Sequence, residues 1–203
     1  VGTSESSVFG LRKAVRRGLT GMKFGISSLL FIRLPLEKAI SLAHEFGYEC
    51  IEIIYEIPHF DFRSDSKKIE ELKRLLQGYG MDVSVHSSFV DLNPVSHHRE
   101  IFELNRKCLE KSMAVCKRLG GEIVVAHTGV CRVPMLREFW EKTKRKCFQL
   151  LRSASLHAKK LGVKLAVENG SSRASPFSKP RELRDLAERI DGGIAYDVGH
   201  ACL

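Results

Sequence analysis

The strongest constraint on the fold is an alternation: short apolar runs of β character take turns with longer stretches whose apolar residues recur at helical spacing. The β-like runs are Lys23–Ser27, Cys50–Tyr55, Asp82–His86, Ile123–His127, Val163–Glu168 and Ile194–Asp197. Helical stretches lie between them, from about Leu36 to Phe46-Gly47, Ser66–Tyr79 before Gly80, His97–Leu119, Pro134–Leu161 and Lys179–Ile190. In the third of these, Ile101, Leu104, Cys108, Leu109, Val115 and Leu119 keep a helical period, and Gly120-Gly121 supplies a stop. Pro35 is suitably placed for a helix start. Strand and helix repeat in units of about 30–40 residues, so the strands are expected to pair in parallel through right-handed crossovers. Runs such as Glu122–Ala126 and Val163–Val167 are largely apolar, as strands covered on both faces require.

Two closures satisfy this pattern, an open doubly wound sheet and a barrel. No GxGxxG follows the first strand and no Walker loop occurs, which counts against a nucleotide-binding doubly wound sheet. The expected fold is therefore α/β, a TIM (β/α)8-type barrel. A full barrel takes about 250 residues, whereas this sequence has 203. It stops within Asp197–Leu203, after the sixth strand and with no helix to cover that strand. The sequence thus reads as a barrel truncated after the sixth strand, occupying residues 22–203. Residues 1–21 read as a disordered or non-native extension, with translation starting at Met22.

A composition of 43% hydrophobic and 28% charged residues is that of a soluble globular domain. No apolar run approaches the length of a membrane span, and the basic segment Leu11–Leu19 has no long apolar region after it to make a secretory signal. The net charge of +9 invites a nucleic-acid partner. However, Lys67-Lys68, Lys117-Arg118, Lys142–Lys146 and Lys159-Lys160 are scattered among acidic and apolar residues, as on solvated helix faces. The six cysteines form no CxxC pair. Cys108 and Cys116 follow the apolar rhythm of one helix, so a reducing cytoplasm is the expected compartment.

Chemistry-bearing residues stand where the apolar runs end. His86, His127, Glu168 and Asp197 close four successive runs, and His200 follows three residues after the last. A parallel barrel brings such positions together on its C-terminal face. Three imidazoles and two carboxylates gathered there suit a divalent ion such as Zn, Mn or Co. One ion chelating a hydroxyketone would polarise the carbonyl while a carboxylate moves a proton; two ions sharing Glu168 would suit phosphodiester hydrolysis. His59, in the loop after the second strand, is placed to reach the pocket rim and touch substrate. Glu52 and Glu56 are ambiguous, and His44, His97, His98 and His157 read as surface residues.

At these residues the chain resembles the xylose isomerase-like TIM-barrel superfamily, which includes sugar phosphate isomerases/epimerases and endonuclease IV. The segments that carry the resemblance are His86–Pro94, Ala126-His-Thr-Gly129, Val167-Glu-Asn-Gly170 and Tyr196–Ala201, together with Gly47–Ile53. The resemblance to the epimerases implies that Glu168 is both a metal ligand and a catalytic acid/base, that Asp197 is a second ligand, and that His200 holds substrate oxygens. The resemblance to the nuclease implies that all five residues bind a zinc cluster. Either family implies further ligands beyond Leu203: a His on strand seven and a Glu on strand eight, with an additional Asp-x-His in the nuclease. Endonuclease IV usually has His-Pro-Gly, Glu-Asn-Thr and Asp-Thr-Cys-His where this chain has His127-Thr-Gly129, Glu168-Asn-Gly170 and Asp197-Val-Gly-His200. The expected function is a metal-dependent sugar or sugar-phosphate isomerase/epimerase, with His86, His200 and His59 as substrate-binding groups and His86, His127, Glu168, Asp197 and His200 as metal-binding ones. An apurinic-site phosphodiesterase acting on nucleic acid and a non-catalytic metal- or ligand-binding barrel are the alternatives. No membrane partner is expected, and a homo-oligomer is allowed.

Overall fold

The computed structural model describes residues 22–60 and 66–202; the N-terminal extension expected over 1–21 lies outside them. The elements are β1 (Gly25–Ser27), α1 (Leu36–Glu45), β2 (Cys50–Ile54), α2 (Ser66–Tyr79), β3 (Asp82–His86), α3 (Arg99–Leu119), β4 (Ile123–His127), α4 (Arg137–Leu161), β5 (Lys164–Glu168), α5 (Pro180–Ile190), β6 (Gly193–Ala195) and α6 (Val198–Ala201). A 3-10 turn, Ser28–Phe31, follows β1. Every adjacent strand pair is parallel, and the sheet order is β1-β2-β3-β4-β5-β6. Strand order that follows chain order without reversal is the winding of a (β/α) barrel, because a doubly wound sheet reverses at a switch point. The fold is six strands of a TIM-type barrel, as the alternation predicts.

Successive side chains on a strand point to opposite faces, and here the two faces differ in chemistry. Ile51, Ile53, Val83, Val85, Val124, Ala126, Leu165 and Val167 belong to the apolar core under the helices, with Leu72, Leu76, Met113, Leu151, Leu183 and Leu186 opposite them. The alternate residues Glu52, Ile54, His86, Val125, His127 and Glu168 line a concave cavity of about 450 Å3 on the other face. The helices stop where the sequence implies; Gly120, at φ 88°, caps α3 in the left-handed region, where a side chain would be strained. Cys108 and Cys116 are buried beside this core. No helix among the described residues is long and apolar enough to cross a membrane.

Two expectations need correction. The sixth strand ends at Ala195, not Asp197, and Asp197 instead caps the short helix α6, so the last strand is followed by a helical turn. The pairing of β5 with β6 stops because the Asn169 side chain takes over both backbone groups of Asp197: Oδ1 accepts from Asp197 N–H at 2.7 Å, and Nδ2 donates to the Asp197 carbonyl at 2.9 Å. The basic stretch of α4 is also not a uniformly solvated face. Thr143 within it is buried, Lys144 pairs with Glu182 at 3.1 Å, and Lys146 donates to the Ser96 carbonyl.

Candidate functional site

The register of the sheet brings the strand-end residues into reach. His127 and Glu168 are direct partners across β4 and β5, whereas His86 is opposite Val125 and so stands one row lower on the same face. Glu168 is the hub, only 7% exposed. Its Oε2 is 3.1 Å from His86 Nε2 and 3.2 Å from His127 Nε2, and its Oε1 is 3.1 Å from His200 Nδ1. Asp197 joins through His200: its Oδ1 accepts the His200 backbone N–H at 2.8 Å, leaving Oδ2 3.9 Å from His200 Nε2. The structure therefore gathers His86, His127, Glu168, Asp197 and His200 in one place.

The hydrogen bonds set which ring nitrogens are free. His86 Nδ1 lies 2.7 Å from the Ser87 carbonyl, and His200 Nδ1 lies 2.9 Å from the Asn169 carbonyl. A carbonyl only accepts, so each Nδ1 carries its hydrogen and each neutral ring keeps its lone pair on Nε2. The His86 Nε2 lone pair would then face a carboxylate oxygen at 3.1 Å, which is repulsive unless a cation, proton or metal, lies between. Without metal the proton takes that place. Burial works to lower the His86 pKa, but the hydrogen bond to Glu168, the charges of Glu52 and Glu168 and the Ser87 carbonyl prevail and raise it. For Glu168, burial favours the neutral acid; hydrogen bonds from His127 and His86, with their charges, outweigh it and bring the carboxyl down to about 2.

The donor atoms fall into two groups that share Glu168. One is His86, His127 and Glu168; the other is Glu168, Asp197 and His200; within each group the atoms lie inside 4.8 Å of one another. Imidazole nitrogen and carboxylate oxygen, with two of the rings oriented through Nδ1 by backbone carbonyls, fit a divalent ion of borderline softness.

Three supporting residues belong to neither donor group, and the sequence patterns assigned them no definite role. Asn169 fixes the backbone of Asp197 through its amide and orients His200 through its carbonyl. Phe89 packs against His86 and His127, with ring centroids 5.2 and 5.4 Å away. Glu56 holds the loop that carries Phe89, accepting from Phe89 N–H and Val90 N–H, each at 3.1 Å. A polar residue immediately after a strand-end carboxylate was the one available signal for Asn169. Nothing local marks Phe89 or Glu56. Gly170, after Asn169, is required for space, since a Cβ there would lie 2.2 Å from the Ser175 Cβ.

Other candidates lie elsewhere. His59 is not brought to the rim of the site: it is buried at 2% exposure, and Nε2–H donates to the Leu34 carbonyl at 3.1 Å. Glu52 faces the concave cavity beside Ser27 and His86. His44 stacks on Tyr79 at 4.2 Å, and His97 bonds Thr143 at 3.2 Å. His98 precedes α3 at the surface, and His157 is half-buried on α4.

Residues 40–203 match the family model described as xylose isomerase-like TIM barrel. An uncharacterised protein of Methanocaldococcus jannaschii, MJ1311, is 29% identical over 188 residues, covering 89% of this chain and 61% of its own length. The chain thus spans about three fifths of that relative. A D-tagatose 3-epimerase-like protein superposes with a TM-score of 0.76 at 27% identity, over 89% of this chain and 66% of its own. The IolI protein, solved with a zinc atom, shares the fold with a TM-score of 0.72 at 19% identity, over 88% of this chain and 64% of its own.

Proposed function

The chain belongs to the xylose isomerase-like TIM-barrel family, and from that premise we propose that it forms the metal-holding part of a sugar or sugar-phosphate isomerase/epimerase. The observation that carries this reading is the buried Glu168 carboxylate, met by three imidazole rings at 3.1–3.2 Å beside Asp197. The D-tagatose 3-epimerase-like relative, at 27% identity, supports the choice of substrate class. His86, His127, Glu168, Asp197 and His200 would hold a Zn, Mn or Co ion. A bound ion of this kind polarises a carbonyl and acidifies the neighbouring C–H.

The protein groups supply the proton chemistry. Glu168 is ionised throughout the physiological range, because its carboxyl is held near 2. That depression comes from ring N–H groups aimed at Oε2, so accepting a proton belongs to a state in which those rings no longer donate to it. Oε1, away from His86 and His127 but 3.1 Å from His200 Nδ1, is the accepting atom when the His200 N–H is given to the Asn169 carbonyl. It takes the proton from the carbon next to the carbonyl; the C–H electron pair becomes the C=C of an enediolate, the carbonyl π pair moves onto its oxygen, and the proton of the adjacent hydroxyl passes to that oxygen before the C–H bond is remade. Return of the proton to the neighbouring carbon isomerises the sugar with Glu168 alone. Return to the same carbon from the opposite face epimerises it and needs a second acid. His200 has only the Nε2 lone pair to offer, so it serves either the ion or a substrate hydroxyl, not both at once.

The test is metal content by plasma mass spectrometry, together with NMR of ketohexoses and their phosphates, for the parent chain and Glu168→Ala. The parent is expected to retain about one equivalent of divalent metal and the variant to lose it along with any interconversion. A variant that keeps metal and turnover overturns the assignment. A second reading, incision at abasic sites, is favoured by the two donor groups that share Glu168, an arrangement suited to more than one ion. Several zinc ions per chain with cleavage of an abasic duplex would move the assignment there. Metal without either turnover would leave a binding barrel.

A further inference from the structure

Two further cavities meet His200, and their chemistry is the opposite of the concave face. One, of about 370 Å3, has Arg132 in its wall with His127, Thr128 and Asn169. The other, of about 330 Å3, has Arg173 with Ser171 and Ser172. Asn169, Gly170, Ser171 and His200 line both, so the two spaces adjoin. No Asp or Glu lines either one, whereas Glu52, Glu168 and Asp197 all line the concave cavity. Carboxylates are thus concentrated on one side of His200 and guanidinium groups on the other.

The two arginines come from different loops, joined where Cys131 N–H donates to the Ala174 carbonyl at 2.8 Å. Arg132 and Arg173 are next in sequence to that bond, one on each strand-to-helix loop. Both are exposed, and among the described residues neither has an ion pair or side-chain hydrogen bond. This contrasts with Arg106, which bonds Glu103 at 3.0 Å and Glu110 at 2.5 Å. An arginine with no carboxylate partner among the described residues, in the wall of a cavity that no carboxylate lines, retains its full capacity for an external anion, and its planar fork matches phosphate oxygens.

We propose that Arg132 and Arg173 bind the terminal phosphate of a phosphorylated hydroxycarbonyl substrate whose reacting end lies at His200 and Glu168. This rests on the isomerase/epimerase reading for the identity of the reacting end, and it selects the phosphorylated members of that class. Nucleic acid is the weaker fit, since a phosphodiester backbone is tracked by a continuous basic groove, not by two guanidinium groups in the walls of two adjoining cavities.

Calorimetric titration of the metal-loaded chain with inorganic phosphate, at constant ionic strength, tests this. Saturable binding is expected. Arg132→Gln and Arg173→Gln should each weaken it about tenfold, near 1.4 kcal/mol, with Arg→Lys restoring part. Melting temperature and metal content should stay at parent values, because both side chains are solvent-facing. Parent-like phosphate binding in the double variant, or none in the parent, overturns the proposal. Arginine variants that lose binding of an abasic duplex but not of phosphate overturn it in favour of nucleic acid. Phosphate binding that depends on both arginines in a Glu168→Ala chain devoid of metal sustains the anion site. Metal bound without interconversion of any sugar would sink the isomerase reading and leave the arginine result standing, so the two failures are distinct.

Discussion

Replacing Asn169 by Ala tests whether the site is held by the β5–β6 junction. The side chain is 5% exposed and makes two bonds to one peptide unit, 2.7 Å from Asp197 N–H and 2.9 Å to its carbonyl. Truncation leaves one donor and one acceptor without partners, at about 1–3 kcal/mol each when buried. Asp197 is only half-buried, so water recovers part of that cost, giving about 2 kcal/mol in total and a fall in Tm of about 4–8 °C for a domain of this size. The larger effect is local. Asp197 Oδ2 and the His200 ring both depend on where residue 197 sits, and loss of such support typically weakens metal binding by 10–100-fold. Competition against a chromophoric zinc chelator reads that number directly, and a thermal melt in excess chelator reads stability separately. Asn169→Asp keeps an acceptor for Asp197 N–H but loses the donor, so it should fall between parent and Ala. Zinc affinity within about twofold of the parent, alongside a lowered melt, would refute the positioning role and leave Asn169 a structural residue; no change in either would refute the bonds themselves.

Other outcomes follow from the same geometry. For the metal-free protein, Glu168 has its pKa lowered in the fold from 4.5 to about 2, so its contribution is present above pH 4.5 and is lost as pH falls towards 2. His86 has its pKa raised above 6.5, so its contribution is complete below 6.5 and is lost as pH rises through the raised value. Melts in chelator should therefore peak between about pH 4.5 and 6.5, and added zinc should protect increasingly above that window as His86 gives up its proton; a flat profile in chelator would contradict the pairing. Gly170→Ala sets a Cβ 2.2 Å from Ser175 Cβ and should lower the melting temperature while sparing the far wall at Glu52; an unchanged melt would show that the loop yields freely. In thiol titration, exposed Cys202 should react at once, while Cys147, buried with its pKa pushed up by desolvation, should react only on unfolding.

The fold was legible because its information is periodic. Helical spacing such as Leu104, Cys108 and Leu119 and the strand run Ile123-Val-Val-Ala-His127 mark elements without reference to anything distant. The hub was legible for a similar reason, since a strand-end polar residue recurs once per strand–helix unit. What escaped was whatever depends on a loop crossing to another loop. Asp197 reads as a strand end, but it leaves the ladder because Asn169, across the β5–β6 register, takes its backbone bonds. Phe89 finds two imidazoles only because Glu56, far back in the chain, gathers two of its loop's N–H groups. His59 was drawn towards the pocket by its place after β2, yet its ring bonds the Leu34 carbonyl, a contact no spacing encodes.

A structural role alone accounts poorly for the cluster around Glu168. His86, His127, Glu168, Asp197 and His200 line the concave cavity, and the apolar strand residues under the helices alternate with His86, His127 and Glu168 on the opposite face of the sheet. A buried ion pair gains little net stability, because removing both charges from water costs several kcal/mol per ion, and apolar side chains of similar volume often serve as well or better. Here the cost falls on a carboxylate whose two oxygens are met by three imidazoles, two of them with Nδ1 held by backbone carbonyls. Pinning Nδ1 does nothing for a proton-mediated pair that direct contact would not achieve, since an imidazolium can donate from either nitrogen. It matters when Nε2 must present a lone pair in a fixed direction, and that is the requirement of a metal ion. Asp197 follows the same logic: Oδ1 is used on the α6 cap and Oδ2 is left on the His200 side. The arrangement therefore spends backbone acceptors and a helix cap on orienting lone pairs, which favours cation binding over mutual neutralisation as its physical purpose.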